Sequence, residues 1–183
     1  MIPVFCAFLR GVNLNGRTMK MAEVCAVFTQ AGMKAVSSVL TSGNLVFQSD
    51  LPKETLREQL ESAVSSHYAY QANLFVKDRA EVSNILLSNP FAPSDTLHSY
   101  AFVGEAGAET LLWDKFKEIT PVAFEGAAVK NGVFYWQGPK GSTLDAGFSK
   151  ILARKDMREQ FTSRNLNTIR KIYDRMAAVG SAS

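Results

Sequence analysis

The stretch VSSVLTSGNLVFQ, from Val36 to Gln48, decides the fold predicted for this chain. Two runs rich in β-branched and apolar residues flank the turn residues Ser42, Gly43 and Asn44, a pattern typical of a β-hairpin. A tight turn reverses the chain, so the two strands pair antiparallel. The hairpin therefore argues against a parallel sheet of the nucleotide-binding kind at this point of the chain.

The segment before the hairpin predicts a strand and then a helix. Val4–Phe8 is a short apolar run typical of a buried strand. Apolar residues then recur at helical spacing along one face, at Met21, Val24, Cys25, Phe28 and Ala31. Thr18 is a candidate N-cap, and Gly32 is a candidate stop at the C-terminal end.

After the hairpin the pattern completes a βαββαβ unit. Pro52 opens a helix, and Ala72–Val76 predicts the fourth strand. Asp78 and Glu81, three residues apart, then have the spacing of a capping box. They predict a further helix that runs to Leu87.

The same order of elements recurs after the linker NPFAPSDT, Asn89–Thr96, in which two prolines break any helix. The predicted elements are a strand at Tyr100–Val103, a helix marked by Leu111, Leu112 and Phe116, a hairpin of Val122–Val129 and Val133–Gln137 about Asn131-Gly132, a helix at Leu144–Leu152, a short strand at Gln160–Thr162, and a final amphipathic helix with Leu166, Ile169, Ile172, Tyr173 and Met176. Asn-Gly between two such runs is a strong hairpin signal.

We therefore predict an α+β fold of two ferredoxin-like βαββαβ units, a duplication, with a C-terminal helix. Residues 1–76 form the first half, residues 77–96 a helix and linker, and residues 97–183 the second half with the C-terminal helix. The two hairpins also resemble each other, with LVFQ in the first and FYWQ in the second.

Composition predicts a soluble cytoplasmic protein. The chain has 183 residues, of which 46% are hydrophobic and 20% charged, as in ordinary globular proteins. The two cysteines, Cys6 and Cys25, lie in apolar segments without metal-ligand spacing, which predicts buried thiols in a reducing compartment. The start MIPVFCAFLR lacks the basic region of a signal peptide, and no apolar stretch is long enough to span a bilayer.

Basic residues concentrate at the two ends of the chain. Residues 1–22 hold three Lys or Arg and no acid, and residues 150–175 hold eight Lys or Arg against three acids. Residues 23–149 hold nine basic and fourteen acidic residues. If the fold brings the ends together, they form one positive patch that attracts an anion; otherwise they are solvated basic surface.

The loop GVNLNGRT, Gly11–Thr18, is one residue short of a phosphate-binding P-loop, because Arg17 stands in place of the lysine. A P-loop also requires a parallel sheet, which the hairpin disfavours. A more general interpretation survives. A glycine-containing loop before a helix exposes backbone N–H groups, and the helix dipole there favours an anion. The alternative is that the glycines only turn the chain and the basic side chains are solvated.

Three segments, LRGVNLNGRTMKMAEV, LTSGNLVFQS and FTSRNLNTIRKI, occur together in this order. Their combination resembles a widespread bacterial family, domain of unknown function family 1697, over essentially the whole chain. The resemblance implies a duplicated ferredoxin-like fold and no established activity, substrate or cofactor. The sequence departs from the family pattern at Arg17, where lysine is common, and at Leu166, where a tryptophan is usual.

The motif segments share hydrogen-bond donors and cations, which suit a phosphate-bearing small molecule or nucleotide. The candidate ligand-binding residues are Arg10, Gly11, Asn13, Gly16, Arg17, Lys20, Ser42, Gly43, Asn44, Arg164, Asn165, Thr168 and Lys171. In the structural alternative, Asn13 and Asn44 cap turns, and Arg164 ties the last helix to the sheet.

Other chemistry has less support in the sequence. Neither His67 nor His98 has a partner at metal-ligand spacing, so we expect no metal and no cofactor. No catalytic residue is predicted, and whether the protein is an enzyme stays open, as does its oligomeric state. An RNA-binding module is an alternative, because ferredoxin-like sheets stack bases on aromatics such as those of Phe134–Trp136. Burial of these aromatics beneath helices is the competing interpretation. An interaction scaffold without ligand is a third hypothesis.

Overall fold

The computed structural model describes residues 2–12, 19–121, 123–141, 147–152, 157 and 159–181. The chain divides into two compact units, one of Met1–Ser83 with Arg170–Ser183 and one of Asn84–Ile169. Each unit holds a four-stranded antiparallel sheet. The helices α3 (Arg79–Leu87) and α6 (Leu166–Ser181) each contribute residues to both units.

The first unit contains β1 (Val4–Leu9), α1 (Met21–Gln30), β2 (Lys34–Ser38), β3 (Asn44–Gln48), α2 (Lys53–Tyr68) and β4 (Leu74–Asp78). Its strand order is β2-β3-β1-β4, which is the ferredoxin-like arrangement. Alternate side chains of the strands pack against α1 and α2. Phe28, Phe47 and Leu60 are fully buried in this core.

The second unit repeats the arrangement with β5 (Leu97–Gly104), α4 (Ala108–Lys117), β6 (Gly126–Lys130), β7 (Val133–Pro139), α5 (Gly147–Leu152) and β8 (Phe161–Asn165). Its strand order, β6-β7-β5-β8, matches that of the first sheet element by element. The core is aromatic, with Phe102, Phe134 and Phe148 in mutual ring contact. The predicted α+β fold of two ferredoxin-like units with a C-terminal helix is confirmed.

Local signals in the sequence account for several element ends. The capping box is present: the Asp78 N–H donates to Glu81 Oε2 at 2.9 Å, and the Glu81 N–H donates to Asp78 Oδ1 at 2.8 Å. Gly32 follows the end of α1 with a φ of +90°. Asn131 and Gly132 both have positive φ, 50° and 73°, as the tightest hairpin turn requires.

Other predicted ends differ from the structure. Helix α1 begins at Met21 with Lys20 at its N-cap and no capping side chain. Thr18, the predicted N-cap, lies outside the described residues, as do Val122 and the predicted start of α5 at Leu144.

The two cysteines differ in burial. Cys6 is fully buried but Cys25 is only half-buried, because it lies at the margin of the α1 apolar face.

Candidate functional site

The end of β1 lies directly beside the turn between β2 and β3. Phe8 pairs with Asn44, and the Leu9 N–H donates to the Gly43 carbonyl oxygen at 2.7 Å. Gly43 has a φ of +75°, and a Cβ there would lie 2.3 Å from Val12 Cγ2. Only glycine combines that φ with so close an approach. The structure therefore brings two of the predicted segments, Arg10–Gly11 and Ser42–Asn44, together in the first unit.

The loop that follows β1 starts and ends at neighbouring points. The Met19 N–H donates to the Val12 carbonyl at 3.3 Å, and the Arg10 N–H donates to the Asn73 carbonyl at 2.9 Å. Arg10 is half-buried at the start of the loop. Lys20 is exposed at its end, where its ammonium lies 3.7 Å from Glu23. Three predicted site residues within the loop, Asn13, Gly16 and Arg17, lie outside the described residues.

The turn beside this loop is closed by Asn44. Asn44 Nδ2 donates to the Val39 carbonyl at 3.0 Å and to Ser42 Oγ at 2.9 Å, and the Val39 N–H donates to the Asn44 carbonyl at 2.8 Å. Asn44 is 0% exposed. Its side-chain amide thus serves the turn itself, which is the structural role that the sequence offered as an alternative.

Residues 40–42 form an exposed part of the turn. Leu40, Thr41 and Ser42 are exposed, and within the described part of the chain their N–H groups make no hydrogen bond. Leu40 has a φ of +59°, a conformation that non-glycine residues seldom adopt. Successive free N–H groups in a turn of this kind can surround an anion.

The third predicted segment belongs mainly to the second unit. Arg164, which follows the predicted strand Gln160–Thr162, lies within β8 and is 8% exposed. Its Nη1 donates to Thr162 Oγ1 at 2.7 Å and to the Ser163 carbonyl at 2.8 Å. The predicted strand ended too early, because the alternation of side chains continues past Thr162. A long arginine side chain can be buried in such a strand while its guanidinium finds hydrogen-bond acceptors.

The residues after Arg164 start the last helix. Asn165 Oδ1 accepts the Asn167 N–H at 2.9 Å, which caps α6, and Asn165 Nδ2 lies 3.0 Å from His98 Nδ1. Thr168 is half-buried in the first turn. Lys171 is exposed and belongs to the first unit. Arg164, Asn165 and Thr168 therefore stand in a different unit from the Arg10 loop.

The aromatic residues of β7 are not open to a stacking ligand. Phe134 and Tyr135 are 0% exposed, and Trp136 is 3% exposed. The Tyr135 hydroxyl donates to the Ile85 carbonyl at 2.8 Å, and burial raises the pKa of Tyr135. The competing interpretation of these residues as core is confirmed.

Glu125 has a structural role that could not be recognised in the sequence. Its Oε1 accepts the Trp136 Nε1–H at 3.0 Å and the Phe148 N–H at 3.2 Å. A lone acid before a strand carries no signal of this pairing. The residue satisfies two donors, as a buried indole and a helix start require.

The described residues offer little for metal or membrane chemistry. In the described ranges no group of three or more His, Cys, Asp or Glu side chains is placed to hold a metal ion. Among the described helices, none is both long enough and apolar enough to cross a bilayer. His67 lies against Tyr68 with ring centroids 4.6 Å apart.

The two units differ in charge. The first holds 11 Lys and Arg against 8 Asp and Glu, whereas the second holds nine of each. The net charge of +3 therefore resides on the unit that contains the Arg10 loop. An anion is attracted to that unit more than to the other.

Comparison with known proteins gives a family but no activity. A family model described as "Protein of unknown function (DUF1697)" matches residues 2–135. The conserved bacterial protein SP0830 from Streptococcus pneumoniae has a similar structure, with a TM-score of 0.77 at 22% identity, covering 97% of this chain and 99% of that one. That likeness shows the fold.

A second solved structure, of a candidate glycine cleavage system transcriptional repressor, covers 98% of this chain and 91% of its own at 11% identity. Its TM-score of 0.21 carries no argument. None of the curated proteins compared matches the sequence.

Proposed function

The chain belongs to the DUF1697 family of proteins of unknown function, and we propose from its own chemistry that it binds a phosphate-bearing small molecule or nucleotide. The site is the end of the first sheet, formed by the loop from Arg10 to Lys20 and the turn from Leu40 to Asn44. The observation that supports the proposal is the Leu9–Gly43 hydrogen bond of 2.7 Å, which joins the end of β1, where the loop begins, to the turn.

Three features of this place favour an anion. Arg10 and Lys20 bracket the loop, and the first acid of the chain, Glu23, lies 3.7 Å from the Lys20 ammonium and offsets part of its charge. Residues 40–42 are exposed, and their N–H groups make no hydrogen bond to the described residues. The first turn of α1 adds N–H groups and the positive end of a helix dipole. Charge-assisted hydrogen bonds to phosphate are stronger than those to neutral acceptors.

Within the site, the residues have distinct roles. Arg10, Lys20 and, in the loop, Arg17 neutralise the charge of the phosphate. Gly11 and Gly16 let the backbone approach it, and Asn13 and Ser42 orient it. Gly43 and Asn44 hold the turn in place, as their contacts with Val12 and Val39 indicate. The predicted residues Arg164, Asn165 and Thr168 belong to the second unit, and they and Lys171 are not part of the proposed site.

The two other hypotheses have less support. An RNA-binding sheet requires exposed aromatics, and those of β7 are at most 3% exposed. A scaffold without ligand predicts that Arg10 matters for stability alone. The proposal is one of binding, and it names no catalytic residue.

The test is a thermal-shift screen of the full chain with inorganic phosphate, sugar phosphates and nucleotides. A ligand present at 100 times its dissociation constant adds about 2.7 kcal/mol of stability, which raises the Tm of a chain this long by about 5 to 10 °C. We expect such a shift with a phosphate-bearing compound and none with its dephosphorylated form.

Matched variants distinguish binding at a specific site from a general effect of positive charge. Arg10→Gln with Lys20→Gln should abolish the shift. The control, Lys130→Gln with Lys140→Gln, removes the same charge from exposed lysines of the second unit and should keep it. A shift lost equally in both pairs, or no shift with any compound, contradicts the proposal. Lys20→Gln alone, at an exposed position, serves if the Arg10 variant folds poorly.

A further inference from the structure

The last helix, α6, has one buried face and one basic face. Ile169, Ile172 and Met176 are 0% exposed. The opposite face is exposed, and its side chains are those of Asn167, Arg170, Lys171, Asp174, Ala178, Arg175 and Ser181. This division follows the helical period, in which residues three and four apart share a face.

Elsewhere in the described part of the chain, seven Lys and Arg side chains form ion pairs: Lys20, Lys34, Lys53, Arg57, Lys77, Lys115 and Lys117. The exposed cations of α6 differ from these seven. On α6, Arg170, Lys171 and Arg175 form no ion pair with any described residue. Asp174 lies three residues from Lys171 and four from Arg170, a spacing that permits pairing, yet it pairs with neither.

A fourth cation lies against the same helix. Arg79 Cζ is 5.8 Å from the ring centroid of Tyr173, and a Cβ at Gly180 would lie 3.9 Å from Arg79 Nη1. Arg79 thus runs along the flank of α6 between these two positions. The exposed face of α6 together with Arg79 is called here the α6 basic face.

We propose that the α6 basic face binds the phosphodiester backbone of a nucleic acid. Lys171 and Arg175 are four residues apart, which is about 6 Å along a helix, so neighbouring cations reach successive charges of an extended anion. Such contacts go to phosphates and carry no base specificity. The proposal uses residues other than the Arg10 loop and does not depend on the small-molecule site.

A membrane surface fits this face less well than a nucleic acid. Interfacial helices insert a large apolar face between lipid headgroups. The apolar side chains of α6, including Ile172 and Met176, are already 0% exposed within the protein, and the exposed side chains include no large apolar residue. The exposed face can therefore make only electrostatic contacts, and the phosphodiester backbone of a nucleic acid offers charges for them along its whole length.

The experiment measures fluorescence polarisation of a labelled mixed-sequence RNA strand of about 20 nucleotides, longer than one such site needs. Three phosphate contacts predict a slope of about −2 in log K against log salt, or a loss of about 20-fold between 50 and 200 mM salt. We expect saturable binding at the lower salt. No binding at about 100 μM protein, the weak end of non-specific binding, would overturn the proposal.

Variants that are expected to change the RNA affinity in opposite directions make the test specific. Arg170→Gln with Lys171→Gln and Arg175→Gln should weaken binding at least tenfold and flatten the salt slope. Asp174→Asn should strengthen binding, because it removes a negative charge from the face. The control, Lys117→Gln with Lys130→Gln and Lys140→Gln, removes three exposed cations of the second unit. It should change the affinity for RNA and its salt dependence little.

Two further measurements keep the outcomes distinct. Arg10→Gln with Lys20→Gln should retain RNA binding even where it loses the thermal shift with small phosphates. Vesicles of mixed anionic and zwitterionic lipids should not sediment the protein at the salt where RNA binds. Equal loss in the α6 and control variants, or binding to vesicles in preference to RNA, would overturn the proposal.

Discussion

The N–H of Leu9 and the carbonyl oxygen of Gly43 lie 2.7 Å apart, and this hydrogen bond joins the end of β1 to the turn of the first hairpin. Gly43 is buried there against the Val12 side chain. The chain continues from Leu9 into the loop whose ends carry Arg10 and Lys20. The position of the candidate site thus depends on a backbone contact between two apolar, uncharged residues.

Gly43→Ala should destabilise the first unit strongly. The new Cβ would lie 2.3 Å from Val12 Cγ2 and 3.0 Å from Leu9 Cβ, and the φ of +75° disfavours any side chain. We expect the free energy of unfolding to fall by about 2 to 4 kcal/mol, as measured by urea denaturation.

Gly32→Ala is the matched control for Gly43→Ala. Gly32 also has a positive φ, +90°, but nothing lies within 4 Å of the Cβ position. Only the backbone strain remains, at a cost of about 1 kcal/mol. Equal losses in the two variants would show that the close approach to Val12 contributes nothing.

Asn44→Asp tests whether Asn44 holds the turn. The substitution keeps the size of the side chain but removes the amide that donates to the Val39 carbonyl and to Ser42 Oγ. One carboxylate oxygen would then face the Val39 carbonyl oxygen, which cannot donate a hydrogen bond, and we expect a loss of about 2 kcal/mol or more at neutral pH. Thermal and urea unfolding measure it.

Asn167→Asp serves as the control, because Asn167 is exposed in the first turn of α6, where an acid is tolerated or mildly favoured. It should change stability by no more than about 0.5 kcal/mol. If Asn44→Asp were equally mild, the structural role assigned to Asn44 would be wrong, and a ligand-binding role would gain support.

The sequence predicted the parts of the fold that local physics specifies. The Asn131-Gly132 turn needs positive φ at both positions, which these residues tolerate, so its hairpin was predictable. Asp78 and Glu81 satisfy each other's backbone N–H groups within one turn of chain, so that helix start was predictable as well. Both signals span only a few residues.

The parts that the sequence missed depend on distant partners. Arg164 lies in β8, where it pairs with Ala101 of β5, far earlier in the chain, and no local signal reveals that pairing. Glu125 accepts from Trp136 and Phe148, 11 and 23 residues away. The candidate site was predicted only in part for the same reason, since the Leu9–Gly43 contact joins segments more than 30 residues apart.

Glu81 should make the stability of the first unit depend on pH. Burial raises the pKa of its carboxyl, but the Asp78 N–H and the ammonium groups of Lys53 and Lys77 prevail, and the folded-state pKa is lowered from the usual 4.5. Lys53 Nζ lies 2.9 Å and Lys77 Nζ 3.4 Å from Glu81 Oε1. The unfolded chain therefore takes up the proton first as the pH falls.

The stabilisation from ionised Glu81 is accordingly complete above pH 4.5 and is lost as the pH falls through the lower pKa of the folded state. Glu81→Gln should lower the free energy of unfolding by about 1 kcal/mol at pH 7, where a cap and two partly exposed ion pairs are weakened. Below pH 4 the difference from the unaltered chain should shrink, because protonation removes the same charge. Urea unfolding from pH 3 to 7 measures this, with Glu58→Gln, an exposed position on α2, as the control that should show no such dependence. A difference that stays constant over the whole range would contradict a stabilising contribution from the charge of Glu81.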